Sequence, residues 1–319
     1  MHTTYPRLRQ DTSAPPSKEE IAQCLKEHWG CETADIRPTT MSRRVWYVDL
    51  PERDVMFRAN PGWDGRTPPS LIVKYLDHLS RSGAPVPEIF PTARGALFAT
   101  YRDYTISLES RLPGDMLFGQ GVKYLHCAGE SFADMSGSLR VAKEYVDVLF
   151  ERASIRLLKD DELSAIKKVE TQVRSRDINA EISWVMRHGD VRTANTGGSD
   201  VDGIWLTDFD STVFEPALAD VVMVRTQWRM ADGGYLNDLE CADVLANYHK
   251  ERLLSDNEIT LRSVIWVCYY MDRITFLLDR RRRQNSEKRV QKLRERVLNL
   301  PKEAFAMGER VLEISGVAL

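Results

Sequence analysis

The hydrophobic periodicity of this chain changes once, near Gly114, and that change sets the kind of fold it can adopt. Upstream, residues 45–50 and 55–59 are rich in β-branched and aromatic residues. They flank the turn-prone Pro51-Glu52-Arg53-Asp54 and so predict an antiparallel hairpin. Leu71, Ile72, Tyr75, Leu76 and Leu79 follow at helical spacing and stop near Gly83. Two short strands, at 97–101 and 105–108, then lead into Leu112-Pro113-Gly114. Ahead of the hairpin, Ser17 and Glu20 form an S-x-x-E capping box, which predicts a helix over about 18–29 ended by Gly30. Downstream of Gly114, helical periodicity dominates at about 121–140, 142–157, 161–174, 217–230, 238–252, 258–283 and 286–313. It breaks only between 184 and 210, where Trp184-Val185-Met186 and Ile204-Trp205-Leu206-Thr207 read as strands on either side of Gly197-Gly198. The fold class is therefore α+β, a small β-rich part followed by a larger helical one, with no internal repeat.

At 319 residues the chain is long enough for two packed cores. Its 43% hydrophobic and 29% charged residues exclude a collagenous or wholly disordered chain. Lys and Arg number 44 against 47 Asp and Glu, and the formal charge of -3 removes the broad attraction to nucleic acid that a basic protein has. No nucleic-acid partner is expected. Cys24, Cys31, Cys127, Cys241 and Cys268 include no CxxC pair and read as reduced thiols. The first ten residues hold Arg7 and Arg9 and no apolar h-region, and the longest apolar stretch, 264–271, is too short to span a bilayer; a cytoplasmic location without membrane attachment is expected.

The chemistry is concentrated in His188-Gly189-Asp190-Val191-Arg192-Thr193-Ala194-Asn195 and, a few residues on, Leu206-Thr207-Asp208-Phe209-Asp210. Phosphoryl transfer from Mg-ATP needs a carboxylate to orient and deprotonate the attacking hydroxyl, and oxygen ligands for the metal. Asp190, Asn195 and Asp208 supply that set.

With these residues in view, the chain resembles the aminoglycoside phosphotransferase and choline kinase-like family, whose signature is H-G-D-x-x-x-x-N, then D-F-x, then a further Asp about a dozen residues on; here that Asp is Asp220. The resemblance implies a protein-kinase-like bilobal fold, with a small β-sheet N-lobe and a helical C-lobe. It divides the chain into a mobile arm (1–16), a nucleotide lobe (17–108), a hinge (109–114) and a catalytic and substrate lobe (115–319). It implies ATP and Mg2+ as cofactors, Asp190 as catalytic base, Asn195 and Asp208 as metal ligands, and His188 and Asp220 as braces of the catalytic loop. Residues 71–87 resemble the family's helix leading into a V-P strand, and 106–114 its hinge, where the main chain of Glu109 and Arg111 would meet the adenine ring and their side chains need not take part; an ordinary strand-to-turn exit is the other reading of that stretch. The likeness runs from about 36 to 265 and is weak in identity outside the catalytic segment.

Where the family carries a glycine-rich phosphate loop, this chain has Thr39-Thr40-Met41-Ser42-Arg43-Arg44-Val45, which keeps Ser42 and places Arg43 either on phosphate oxygens or in solvent. The phosphate-binding Lys of the next strand is replaced by Arg58. The Glu that usually orients that Lys would fall at Ile72, and no Glu occurs from 61 to 86, so the ion pair is expected to be missing. Arg192, two residues after the base, reads either as a cation on the transferred phosphoryl group or as a surface salt bridge. Asp210 reads as a supporting carboxylate or as a residue that only shapes its loop.

Arg280–Arg283 and the bases at 288–296 read as a solvated helix face or as a docking surface for an acidic partner, such as a protein or peptide, or a nucleic-acid backbone. Asp232, Asp238, Glu240 and Asp243 either line a site for a cationic substrate or face solvent. Trp228, Trp266, Tyr269 and Tyr270 lie at helical spacing and read as core. The expected activity is transfer of the γ-phosphoryl group of ATP to a hydroxyl of a small molecule, such as an antibiotic or amino alcohol, or of a peptide. The alternative is a pseudokinase scaffold, suggested by the altered phosphate loop and the absent Glu.

Overall fold

The computed structural model describes residues 14–32, 35–39, 44–61, 67–111, 126, 139–192, 195–199, 203–227, 238–284 and 287–315. The chain forms two compact units: one of Met1–Phe132, His188–Asp190 and Ala194–Val213, the other of Ala133–Arg187, Val191–Thr193 and Phe214–Leu319. This grouping cuts across the boundary read from the sequence, which kept all of 115–319 together. Residues of the 194–213 segment are tied to the first unit: Leu206 N donates to Pro85 O at 2.8 Å, Thr67 Oγ1 donates to Thr212 O at 2.6 Å, and Phe209 packs edge-on against Tyr75.

In the first unit, helix α1 (Lys18–Cys24) opens with the anticipated capping box, in which Glu20 N donates to Ser17 Oγ and Ser17 N to the Glu20 carboxylate. It continues as a π turn, Leu25–Trp29, and ends at Gly30, whose φ of 69° suits the residue without a Cβ. An antiparallel sheet follows in the order β1-β2-β3-β5-β4, from β1 (Asp35–Pro38), β2 (Val45–Leu50), β3 (Arg53–Asn60), β4 (Ala99–Tyr101) and β5 (Tyr104–Ser110). Alternation along the strands separates two faces. Val48, Val55, Phe57, Ile106 and Leu108 join Ile21 and Leu25 of α1 and its π turn in one core, each such burial being worth about 1.5–3 kcal/mol. The opposite face carries Arg58 and Asn60 of β3 beside Ser107 and Thr105 of β5. A one-residue slip in β3 would drive Arg58 into the apolar core, so the register is strongly specified. Helix α2 (Pro69–Arg81) buries Ile72, Val73, Tyr75, Leu76 and Leu79 and borders the polar face.

The second unit has a three-stranded sheet in the order β10-β7-β6, built from β6 (Leu139–Val141), β7 (Glu181–Arg187) and β10 (Val213–Pro216). Its described helices are α3 (Ala142–Ser154), α4 (Asp160–Arg174), α5 (Leu218–Gln227), α6 (Asp238–Glu251), α7 (Asp256–Arg283) and α8 (Glu287–Ser315). Strands β1, β6 and β10 and a strand at Thr196–Ser199, where Gly197-Gly198 was read as a break, were not anticipated; at three or four residues they are too short to show alternation. The helix expected at 121–140 lies, except for His126 and the last two residues, outside the described residues, as do Trp228 and the arm at 1–13. Trp266 and Tyr269 are buried in α7, as read from their spacing.

The basic run is in part internal. Both Nη atoms of Arg282 donate to the fully buried carboxylate of Glu162 on α4, Arg294 pairs with Asp161, and Arg283 pairs with Asp279 one turn back. Cys24 and Cys268 are buried free thiols; burial pushes the Cys24 pKa up to about 11. Among the described residues no helix is long and apolar enough to cross a membrane.

Candidate functional site

The polar face of the first unit's sheet supplies one wall of the site. Arg58 faces Ser107 across the β3–β5 ladder, and Asn60 faces Thr105. Glu109, two residues beyond Ser107, shares that face and is only 3% exposed. Its carboxylate lies 3.2 Å from Arg58 Nε and accepts a hydrogen bond from Ser107 Oγ at 2.9 Å. Two expectations change here. The cation on β3 has a carboxylate partner after all, supplied by the neighbouring strand instead of by α2. The main chain of Glu109 is enclosed in the sheet, opposite Met56 on one side and bridged to Ile89 on the other, so its side chain is what it contributes. The only carboxylate on α2, Asp77, is paired with Arg81 along its own helix.

His188, Gly189 and Asp190 form the turn after β7. His188 is fully buried, and its Nδ1 accepts the Asp190 N–H at 3.1 Å, so the ring proton sits on Nε2 and is donated to Thr207 O at 2.7 Å. Its ring also packs on Phe209, with centroids 4.5 Å apart. The histidine thus couples the loop carrying Asp190 to the segment carrying Asp208, a bracing geometry. Gly189 has φ +78°, and a Cβ there would lie 2.1 Å from Ser211 O, so no L side chain fits. Asn195, also buried, donates through Nδ2 to Asp190 O at 2.9 Å and to Asp190 Oδ2 at 3.0 Å. The amide nitrogen is thus committed to one residue, which leaves Oδ1 as the acceptor of this side chain.

Asp208 follows the hairpin of β8 (Thr196–Ser199) and β9 (Gly203–Leu206), in which Thr196 pairs with Leu206 and Thr207 N donates to Asn195 O at 2.8 Å. This bond sets Asn195 beside the strand end from which Asp208 departs. Asp208 has φ 63°, a left-handed conformation that a non-glycine residue adopts at a cost of roughly 1–3 kcal/mol and that clusters at functional sites. Arg58 Nη1 lies 3.6 Å from Asp208 and 3.4 Å from Asp210, and Asn60 Nδ2 donates to Asp210 Oδ1 at 2.9 Å. Burial would lower the Arg58 pKa, but Glu109, Asp210 and Asp208 together raise it, so the guanidinium stays charged. Burial pushes the Asp210 pKa up, Asp208 and Glu109 add to the rise, and Arg58 opposes it. Asp210 therefore does more than shape its loop: it is held from β3 by two side chains. These groups and the apolar side of α2, including Ile72 and Leu76, line a small pocket of about 10 Å3.

Ser42 and Arg43 lie outside the described residues, as do 112–114 of the expected hinge. Arg111, just past β5, stacks over Tyr47 and pairs with Asp54. Arg192 is exposed and belongs to the second unit. Asp232 is outside the described residues, and so are the side chains of Asp238, Glu240 and Asp243. In the second unit, Asp220 is fully buried and accepts from Nη1 of Arg187 at 2.7 Å; Arg187 is the residue directly before His188 and also pairs with Glu215, which Arg152 meets at 3.1 Å. Sequence reasoning missed Arg187, Glu215, Asn60 and Ser107. The polar residue at every second position of Thr105-Ile106-Ser107-Leu108-Glu109 was a usable signal for the polar face.

The donor set suits a hard divalent cation. Asp208 is 41% exposed at its side chain and, among the described residues, has one ion pair, at 3.6 Å, while the Asn195 amide is fixed by its own nitrogen. Around Arg58 three carboxylates meet one guanidinium, a local negative excess that a cation would offset. Among the described residues no group of three His, Cys, Asp or Glu forms an all-protein cage. An ion held by Asn195 and Asp208 would complete its shell with water and ligand oxygens, as Mg2+ commonly does.

No family model matches the sequence, and no curated protein matches it. Solved structures do match in fold. An amicoumacin kinase, solved with AMP-PNP, Ca2+ and Ami, aligns at a TM-score of 0.62 and 11% identity, covering 89% of this chain and 94% of that one. An aminoglycoside phosphotransferase from Alicyclobacillus acidocaldarius aligns at 0.60 and 14% identity, covering 96% and 99%. A microcompartment-associated aminopropanol kinase aligns at 0.57 and 16% identity, covering 93% and 98%. The chain therefore has the aminoglycoside-phosphotransferase type of protein-kinase-like fold over nearly its whole length.

Proposed function

We propose that this chain, folded as these phosphotransferases are, is an ATP- and Mg2+-dependent kinase that phosphorylates a hydroxyl group of a small molecule. The observation that carries the reading is the Asp190–Asn195–Asp208 arrangement: an amide that donates to both the carboxylate and the backbone carbonyl of Asp190, joined through the backbone to a partly exposed, strained aspartate. Fold alone does not select a reaction, so the argument rests on this site.

Bound Mg-ATP supplies the phosphoryl group and, through the metal, neutralises charge on its oxygens. Asn195 Oδ1 and Asp208 would hold the ion. Asp190, with Oδ2 pinned by Asn195, orients the acceptor hydroxyl and takes its proton as the hydroxyl oxygen bonds to phosphorus; the bond to the leaving ADP oxygen breaks in the same displacement. Arg58 would meet a phosphate oxygen through Nη2, and Arg192 is proposed to add charge stabilisation at the transferred group. The expected Ser42, Arg43 and Arg111 contacts to nucleotide remain part of this proposal. The acceptor class is taken from the neighbours, whose names include antibiotic and amino-alcohol kinases. The scaffold alternative loses one of its two motives, because Glu109 provides Arg58 with a carboxylate.

The test is thermal unfolding with ATP and Mg2+, ATP and chelator, or Mg2+ alone, coupled to a mass-spectrometric screen of amino alcohols and amino-sugar antibiotics for an added phosphoryl group. Stabilisation of about 2.7 kcal/mol is expected at a hundredfold excess over Kd, only when ATP and Mg2+ are both present. One hydroxyl compound is expected to gain a phosphoryl group as ADP forms. No stabilisation and no phosphorylated product would refute the reading.

A further inference from the structure

We propose that Glu109 is a positioning residue for nucleotide phosphates: it aims the Arg58 guanidinium from within the sheet and takes the place of the helix carboxylate that this chain lacks. The inference rests on the nucleotide-binding reading above. Arg58 Nε is held by Glu109 at 3.2 Å, and Nη1 lies within 3.6 Å of Asp208 and Asp210; no described residue accepts a hydrogen bond from Nη2. Nε and Nη1 are thus spent on carboxylates that fix the plane of the guanidinium, and Nη2 is the donor left for a ligand oxygen. Glu109 is itself oriented, by the hydroxyl of Ser107 on the same strand.

Burial makes a purely stabilising role a poor account of the pair. Taking a guanidinium and a carboxylate out of water costs about as much as their attraction returns, so such a pair is weak evidence for stability and better evidence for a required geometry. The partner's origin carries a mechanical consequence. In protein kinases the β-strand Lys is oriented by a Glu on a helix, and moving that helix makes or breaks the pair. Here β3 and β5 are adjacent, hydrogen-bonded strands, so the cation is set whenever the sheet is folded. On α2 the corresponding position is Ile72, which is buried and lines the same cavity as Arg58 and Glu109. The geometry therefore assigns α2 an apolar wall and gives it no part in switching the cation on.

The experiment measures the affinity of the full chain for ATP with Mg2+ and, separately, for adenosine. Glu109→Gln is expected to weaken ATP binding by about 10- to 100-fold, as a mis-set anchoring group does, and to leave adenosine affinity unchanged. Adding the carboxylate back from the helix, as Glu109→Leu with Ile72→Glu, is expected to recover ATP affinity. If ATP and adenosine weaken together, or if ATP affinity is unaffected, the positioning role is overturned. Should Glu109→Gln not fold, Ser107→Ala, which removes only the hydroxyl that orients Glu109, decides the matter: a selective loss for ATP supports the proposal and no loss overturns it. Failure of the wild-type chain to bind either nucleotide or nucleoside would instead overturn the function proposed above, and this inference with it.

Discussion

Asp190→Asn is expected to reduce phosphotransfer by about 10^2- to 10^4-fold while ATP and Mg2+ still raise the unfolding temperature as they do for the wild type. The substitution keeps an acceptor for Asn195 Nδ2, because a carboxamide oxygen can replace Oδ2, so the loop held by His188 and Asn195 has no reason to move. What is lost is the ability to take a proton from the acceptor hydroxyl. The rate measured against ATP concentration separates the possibilities: kcat should fall and KM for ATP should not. Wild-type turnover in this variant would remove Asp190 from the mechanism.

Glu215→Gln is expected to lower stability by about 3 kcal/mol, seen as a drop in Tm of roughly 6–12 °C. Glu215 is buried and is shared by Arg187 and Arg152, so neutralising it leaves two guanidinium groups short of a counter-charge; Asp220 still meets Arg187 and keeps the loss at the low end for a buried pair. The pH dependence follows. Burial pushes the Glu215 pKa up, but Arg187 and Arg152 outweigh it and hold it below the ordinary value of 4.5. A carboxylate with a depressed folded-state pKa contributes stability that is fully present above 4.5 and is lost as pH falls through the lower folded value. The wild type should therefore lose stability on acidification through that window, and Glu215→Gln should lose less. Equal acid sensitivity in the two proteins would show that Glu215 does not carry the effect.

Much of the fold was legible because its elements obey simple periods. The Ser17–Glu20 capping box, the 45–60 hairpin and the long helices α4 and α7 appear within a few residues of where apolar spacing puts them. The H-G-D-x-x-x-x-N and D-F-D spacings mark Asp190, Asn195 and Asp208 in the sequence, and the structure brings Asn195 onto Asp190 and joins Thr207 to Asn195. The expectation for Glu109 concerned its main-chain groups, and strand pairing in addition turns its side chain toward Arg58. No local pattern announces that contact, which joins residues 51 positions apart. Arg187 and Glu215 escaped for the same reason: both look like ordinary surface charges in sequence, and only the packing of β7 and β10 buries them together.

The account depends above all on Asn195 and Asp208 sharing a divalent ion with the nucleotide. Electron paramagnetic resonance of Mn2+, titrated against the protein with and without a non-hydrolysable ATP analogue, reads that directly. Tight binding is predicted only with the analogue present, and Asp208→Asn should weaken it by about 10-fold or more. Mn2+ binding by Asp208→Asn and by Asn195→Ala that equals the wild type would contradict the account.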